Sequence, residues 1–398
     1  MSESATLREV HVEAGTVDGA QAPAPAFRLA GSLRSIEAEG CLARLPAGPA
    51  ATLGARVQEF FAAQPPGPSM LVGALPFDPH RDDALHQPAR VAAPVAPGAS
   101  HASAASMQAR STVAEPAPLA YAESVARCLS RLMPDTDDPA ALRKVVLARS
   151  LRVEMSAPVD PHGLAARLDG DPAVTTYVAP LPVAPGQAPA WLVGATPELL
   201  VSRRGDAVVS HPLAGSARRW PDAGRDAAAA EALLASGKDQ AEHRYVVEAI
   251  LDALAPLCSR LRAPPRPSLR STRTMWHLGT RIAGRLKDPG ISAATLAGLL
   301  HPTPAVCGTP RERALEAIRA LEPVDRGFYA GAVGWVDGDG DGDWYVSIRC
   351  ARVQGASMRL FAGAGIVAGS QPALEVDETG AKFRALLDAL GIDDVPTA

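Results

Sequence analysis

The chain has few cysteines, few aromatic residues and no long apolar run, and each shortage excludes a class of protein. Its five cysteines are odd in number and widely scattered, without a Cys-x-x-Cys pair. They predict free thiols, and neither a disulfide framework nor a zinc site. No apolar run approaches the roughly 20 residues of a membrane-spanning helix. The first residues lack the charged-then-apolar layout of a signal peptide, so we expect a cytoplasmic protein without a membrane partner.

An excess of charge of one sign is also absent. Acidic and basic residues are interspersed and give a formal net charge of −4, so no basic stripe predicts a nucleic-acid partner. Apolar residues make up 47% of the chain and charged residues 21%, which is typical of proteins that bury a hydrophobic core. The composition therefore predicts a soluble globular protein.

The organisation of the chain favours an α+β fold, because strand-like and helix-like segments are mixed without a regular βαβ alternation. Residues 1–25 are rich in Ala, Gly and Pro and are predicted to be a loose lead-in. Residues 26–118 form an N-terminal part of the same domain, in which the low-complexity stretch 92–118 is predicted to be a connector. Residues 119–398 are better patterned and are predicted to be the catalytic core.

Two amphipathic helices are the clearest predicted elements. One covers 239–255, and the other carries Phe383, Leu387 and Leu390 on one face before Gly391 ends it. A further helix is predicted at 51–61. Strands are predicted at 70–77, 144–149, 191–195, 207–213, 331–336, 344–350 and 358–363, with 331–336 and 344–350 forming a hairpin.

Paired acidic residues give the first indication of chemistry. Asp239 and Glu242 are three residues apart at the start of one helix, and Glu375 and Glu378 have the same spacing in another. Acidic residues are also favoured at any helix N-terminus, so neither pair alone establishes a site. If the four carboxylates converge, their repulsion calls for a hard divalent cation, for which Mg²⁺ is the simplest choice. The small residues 363–365 are predicted to form a turn whose N–H groups can bind an anion.

Two other motifs resemble known sites only superficially. Residues 337–343 alternate Asp and Gly like the start of an EF-hand loop, but the twelfth position is Ile348 and the run joins two strands. We expect a hairpin turn there. No Gly-x-Ser-x-Gly motif supports a serine hydrolase, and residues 363–365 lack the third glycine of a dinucleotide-binding motif.

Eight short segments carry the most specific signal. They are 144–149 (Lys-Val-Val-Leu-Ala-Arg), 194–200, 212–219, 238–243, 276–278, 300–305, 347–350 and 363–366. In order and spacing they resemble segments of the chorismate-utilising enzymes, most closely isochorismate synthases of siderophore and salicylate pathways. The resemblance runs from about residue 121 to 390. It implies one large domain of packed antiparallel sheets surrounded by helices, a monomer, and a downstream pathway enzyme as a candidate partner.

The resemblance also implies roles for twelve residues. They are Lys144 as general base and Glu198 as general acid; Glu242 and Glu378 as direct Mg²⁺ ligands, with Asp239 and Glu375 behind them through water; Arg349 and Lys382 at the substrate carboxylates, helped by N–H groups near Gly363 and Gly215; His277 beside the substrate ring; and Ala305 at the substrate.

The implied reaction suits these residue types. Converting chorismate to isochorismate adds water at C2 while the C4 hydroxyl leaves and the double bonds shift, so it needs a base and an acid. Anthranilate synthases usually lack the lysine that Lys144 matches, and aminodeoxychorismate synthases carry a lysine where this chain has Ala214. Salicylate synthase, which goes on to eliminate pyruvate, stays an alternative, although threonine is usual there at the position of Ala305. A catalytically silent chorismate binder is the other alternative.

Overall fold

The computed structural model describes residues 26–92, 108–133 and 136–392. Eight α-helices occur in these ranges. They are α1 (Leu53–Ala62), α2 (Pro118–Leu129), α3 (Pro161–Leu168), α4 (Ala223–Ala235), α5 (Gly237–Leu254), α6 (Ala293–Leu300), α7 (Arg311–Leu321) and α8 (Pro372–Leu390).

The described residues also contain 22 strands. They are β1 (Ala26–Ala30), β2 (Ser35–Glu39), β3 (Ala43–Arg44), β4 (Met70–Leu75), β5 (Ala84–Gln87), β6 (Arg90–Ala92), β7 (Ala109–Glu115), β8 (Lys144–Met155), β9 (Thr175–Leu181), β10 (Ala190–Thr196), β11 (Leu199–Arg204), β12 (Ala207–His211), β13 (Leu213–Arg218), β14 (Cys258–Arg262), β15 (Ser268–Ser271), β16 (Met275–Gly279), β17 (Ile282–Leu286), β18 (Gly308–Thr309), β19 (Ala332–Asp337), β20 (Gly342–Val346), β21 (Cys350–Gln354) and β22 (Ser357–Ile366).

The strands form two large antiparallel sheets and one small one. The ten-stranded sheet has the order β18-β8-β22-β21-β10-β9-β1-β2-β6, with β7 also paired to β8. The nine-stranded sheet has the order β14-β17-β12-β11-β20-β19-β4-β5-β3, and β13-β16-β15 form the third. Strands from before residue 93 therefore lie in the same two sheets as later strands.

Two cores hold these layers together. Phe27 of the ten-stranded sheet and Tyr345 of the nine-stranded sheet belong to one buried cluster between the sheets. A second cluster covers the other face of the ten-stranded sheet, where Val153 packs with Leu164 of α3 and Phe383 of α8. The predicted α+β fold of packed antiparallel sheets with helices outside is confirmed.

The expected connector over 92–118 is wrong where the structure describes it. Residues Ala109–Glu115 form β7, which pairs with β8, and α2 begins at Pro118. The β7 sequence is mostly polar and half-exposed, so it lacks the apolar alternation of a half-buried strand. The segment forms a strand because its backbone hydrogen-bonds to β8. Residues 1–25 and 93–107, on which the lead-in and the rest of the connector fall, lie outside the described residues.

Several local predictions are confirmed. The helix predicted at 239–255 is α5, which begins slightly earlier because the Ser236 Oγ accepts from the N–H of Asp239. The helix α8 ends at Gly391, which has a left-handed φ of 70°. Residues 337–343 form the β19–β20 hairpin turn. All five cysteines are free thiols, and no described helix is long and apolar enough to cross a bilayer.

Candidate active site

One pocket is walled by β8, β13, β16 and β22 and by the helices α5 and α8. Eight of the twelve predicted site residues line it. They are Glu198, Gly215, Glu242, His277, Ala305, Arg349, Gly363 and Lys382. The side chains of Val146, Leu213, Tyr329, Ile348 and Phe361 add an apolar part to the lining. The structure thus brings together residues that are up to 236 positions apart in the chain (Val146 to Lys382).

Lys144 lies behind this wall. It is the first residue of β8, and its side chain is completely buried. Its Nζ lies 3.1 Å from the Oε1 of Glu242, which does line the pocket. Among the described residues this Nζ has no hydrogen bond of good geometry, although an ammonium group has three donors. The lysine is therefore held at the site by one ion pair.

Glu198 lies in the short loop between β10 and β11 and is 2% exposed. Its carbonyl accepts a hydrogen bond from the N–H of Val346, which fixes the loop against β20. Burial raises the pKa of Glu198 to about 8, although a backbone hydrogen bond from Leu213 and the positive charge of Lys144 act in the opposite direction. At neutral pH this carboxyl group keeps its proton and can donate it.

The two carboxylates of α8 each bind a lysine. The Oε1 of Glu378 accepts from the Ser216 Oγ at 2.8 Å and from the Lys382 Nζ at 2.6 Å. The Oε1 of Glu375 accepts from the Lys238 Nζ at 2.8 Å. We did not predict roles for Ser216 and Lys238 from the sequence, although both lie inside segments that carry the family resemblance.

The four predicted metal-binding carboxyl groups affect one another. Burial and the charge of Glu378 raise the pKa of Glu375 to about 7, and burial and the charge of Glu242 raise the pKa of Asp239. A divalent cation would relieve this repulsion. Within the described ranges, no three His, Cys, Asp or Glu side chains surround one point. The donor set suits Mg²⁺, which often takes only one or two protein carboxylates and completes its shell with water and substrate oxygens.

Arg349 occupies a break between strands. The strand predicted at 344–350 is wrong here, because β20 ends at Val346 and Arg349 has a φ of 52° before β21 begins. Such strained residues cluster at functional sites. Its Nη2 lies 3.3 Å from the Nε2 of His277. Burial and the charge of Arg349 hold the pKa of His277 well below its usual value, so this imidazole is neutral.

The turn predicted at residues 363–365 is also wrong. Gly363 and Gly365 lie inside β22, which pairs with β8 as far as Ile366. The Gly363 carbonyl accepts from the Lys382 Nζ at 2.8 Å, and a Cβ at Gly365 would overlap the carboxylate of Glu242. Position 365 therefore requires glycine, because the Glu242 carboxylate lies so close to the strand that a Cβ would not fit.

Gly215 and Ala305 complete the predicted set. Gly215 has a φ of 79°, and a Cβ there would meet the Cβ of Asp239 at 3.0 Å, so the α5 helix packs closely on β13. Ala305 lies between α6 and β18, and its N–H donates to the Thr303 Oγ1 at 3.3 Å. Its methyl group presents no hydrogen-bonding group to the pocket.

Comparison with known proteins identifies the family. The family model for the chorismate binding enzyme matches residues 81–391 of the 398. The chain belongs to this family. The resemblance seen in the eight sequence segments is thereby confirmed, and so is the expectation of an enzyme.

Similar members of the chorismate-binding family are isochorismate synthases. The isochorismate synthase DhbC of Bacillus subtilis is 47% identical over 282 residues, which cover 70% of each chain. The isochorismate synthase EntC of Escherichia coli K12 is 38% identical over 374 residues, 90% of this chain and 93% of the other. A crystal structure from Bacillus anthracis, described as a 2,3-dihydroxybenzoate-specific isochorismate synthase, superposes with a TM-score of 0.85 at 40% identity, covering 93% of this chain and 97% of the other.

Replacing Gly365 by alanine is expected to lower turnover of chorismate by about 100-fold, because the new methyl group displaces Glu242 and a displacement of roughly 1 Å at a catalytic site has an effect of this size. The measurement is a steady-state assay with purified protein, together with a thermal unfolding scan.

Gly380→Ala is the matched control. Gly380 lies within α8, and the nearest atom to an added Cβ would be the Arg149 Nη2 at 3.7 Å, an ordinary contact. Alanine should raise the free energy of unfolding by about 0.5–1 kcal/mol and leave turnover unchanged. Equal turnover in the Gly365→Ala and Gly380→Ala variants would contradict the steric argument.

Proposed function

We propose that the protein is an isochorismate synthase, which interconverts chorismate and isochorismate. The observation that carries this proposal is that a protonated glutamic acid, Glu198, lines the same pocket as Glu242, which holds the buried Lys144 in an ion pair. The identities of 38–47% with isochorismate synthases support the same reaction. The vibriobactin-specific isochorismate synthase of Vibrio cholerae is 39% identical over 332 residues, which favours a siderophore pathway as the destination of the product.

The two residues divide the proton transfers. Glu198, which keeps its proton at neutral pH, protonates the C4 hydroxyl as it leaves as water. Lys144 takes a proton from the water that adds at C2. The bond to the C4 oxygen breaks, the bond from C2 to the new oxygen forms, and the ring double bonds shift, so atoms and protons balance.

Cationic and neutral donors orient the substrate. Arg349 and Lys382 line the pocket and bind the carboxylates of chorismate, as their charge and position allow. His277 lies against Arg349 as a neutral imidazole and can hydrogen-bond the substrate without adding a charge. The aromatic side chains of Tyr329 and Phe361 line the pocket and would face the ring.

Magnesium is part of the proposal. Glu242 and Glu378 would bind Mg²⁺ directly, and Asp239 and Glu375 would do so through water. The crowding of these acids and the oxygen-only donor set are what support the cation. The ion would neutralise and hold a substrate carboxylate.

A product assay tests the function. Purified protein incubated with chorismate and Mg²⁺ should approach a chorismate–isochorismate mixture, release no pyruvate and lose activity under EDTA, as followed by liquid chromatography. Salicylate with pyruvate would instead assign the protein as a salicylate synthase. No turnover, with chorismate still binding, would identify a silent binder.

The pH dependence of activity should reflect the protonation of the Glu198 carboxyl group. Only the protonated carboxyl can donate, so the parent should lose the advantage in kcat/KM that it has over Glu198→Gln as the pH rises through about 8. The measurement is a pH profile of kcat/KM, with circular dichroism at each pH to check folding. If the ratio of kcat/KM between the parent and Glu198→Gln stays constant up to about pH 9.5, Glu198 is not the acid.

A further inference from the structure

A second cavity lies between the ten-stranded sheet and the loops that follow β4 and precede β19 of the nine-stranded sheet, behind one wall of the catalytic pocket. Phe361 and Tyr329 line both spaces, and their rings are stacked with centroids 4.8 Å apart and planes 7° apart. Leu192, Phe328, Arg352 and Arg359 also line this second cavity, which we call the inter-sheet cavity. Its lining therefore combines apolar side chains with guanidinium groups.

Three arginines lie side by side on adjacent strands of the ten-stranded sheet. Arg352 of β21 is directly opposite Arg359 of β22, and Arg359 is directly opposite Arg152 of β8. Residues directly opposite each other share a face of the sheet, and like charges there are destabilising. Three neighbouring arginines therefore do not stabilise the sheet, and their presence suggests a role other than packing.

The local counter-charges do not balance this row. The carboxylate of Glu115 lies 3.0 Å from Arg152 and 3.0 Å from Arg359. Arg352 donates to the Gln354 Oε1 at 2.8 Å, and no described carboxylate lies within 4 Å of it. Three guanidinium groups thus share two carboxylates, those of Glu115 and Glu154, and among the described residues the exposed side chain of Arg352 has no anionic partner.

The opposite wall has charges of its own. Asp325 pairs with Arg81, and Asp83 pairs with Arg56. Asp82 also lines the cavity, on the same loop. These acids lie on the loops that face the sheet, and two of the three already have an arginine partner. They therefore do not neutralise the arginines on the ten-stranded sheet, and that face of the cavity has a net positive charge.

We propose that the inter-sheet cavity is a binding site for a small aromatic carboxylate. Arg352 and Arg359 present two guanidinium groups to the carboxylate, which suits bidentate hydrogen bonding. Leu192, Phe328 and Phe361 provide an apolar surface for the ring. The bound ring would rest against the back of the wall that Tyr329 and Phe361 form in the catalytic pocket.

The test is a calorimetric titration of 2-hydroxybenzoate into the full chain. The wild type should bind one equivalent at this site, and the double variant Arg352→Gln/Arg359→Gln should weaken binding by about tenfold or more, as expected for the loss of charge-assisted hydrogen bonds. Arg285→Gln is the matched control, since Arg285 is an exposed arginine of the other large sheet that pairs with Asp206. Its affinity should equal that of the wild type.

Further titrations distinguish the proposed site from other binding sites and other ligands. Lys382→Gln should keep the affinity; a loss there, with none in the double variant, would place the ligand in the catalytic pocket and overturn the proposal. Inorganic phosphate that binds as tightly as 2-hydroxybenzoate would overturn the aromatic part. Absence of saturable binding to the wild type would overturn the site. Because the readout is binding, none of these results depends on the isochorismate synthase proposal.

Discussion

Replacing Glu198 by glutamine is expected to lower turnover of chorismate by about 10²–10⁴-fold, the usual contribution of a general acid. The carboxyl group is buried and its pKa is raised to about 8, so at pH 7 it is a neutral donor. Glutamine has the same shape and no charge but cannot release a proton to a leaving hydroxide. The fold should therefore tolerate the change while the chemistry does not.

The control for this variant is Glu316→Gln. Glu316 is an exposed residue of α7 that pairs with Arg313, and its amide should leave turnover and thermal stability unchanged. Steady-state kinetics and thermal unfolding of both proteins are the measurements. If Glu198→Gln keeps more than a tenth of the parent turnover, Glu198 is not the acid.

Replacing Lys144 by methionine should also lower turnover by about 10²–10⁴-fold, because it removes the proposed base. Methionine has a similar length and suits the fully buried position. The change also leaves Glu242 without the ammonium that lies 3.1 Å away, and an unpaired carboxylate in a partly buried place costs stability. A loss of activity in this variant alone would therefore have two explanations.

The variant Lys144→Arg separates them. Arginine keeps a positive charge for Glu242 but stays protonated at any working pH, so it cannot accept a proton. If Lys144 is the base, the arginine variant should be as inactive as the methionine variant while unfolding at a temperature nearer to that of the parent. Recovery of activity in Lys144→Arg would show that the ion pair, and not proton transfer, is what the reaction needs. Circular dichroism would check that the larger side chain is accommodated.

Much of the architecture could be predicted from local pattern. The α5 and α8 helices have apolar residues at helical spacing and clear end signals, and the hairpin β19–β20 follows from a Gly/Asp-rich turn between two apolar runs. The strand β8 was predicted only as far as Arg149, although it continues to Met155. Where local sequence and tertiary environment agree, prediction from pattern is dependable.

The failures share one cause. The strand β7 has little apolar pattern and forms because β8 is available to pair with it. The small residues 363–365 looked like a turn, yet Gly365 lies in a strand and leaves room for the Glu242 carboxylate from a distant helix. Glycine is compatible with both explanations, so only the position of the neighbouring helix distinguishes them.

By itself the sequence determined the fold class, the family and the residue types available for chemistry, because these depend on local periodicity and on ordered motifs. Only the tertiary structure decided the state of those residues. The neutral form of Glu198 comes from burial between strands, and the partner of Lys144 comes from α5, nearly a hundred residues further along the chain. Ionisation and ion pairing depend on solvent access and on distances of a few ångströms, and folding sets both through contacts between distant residues.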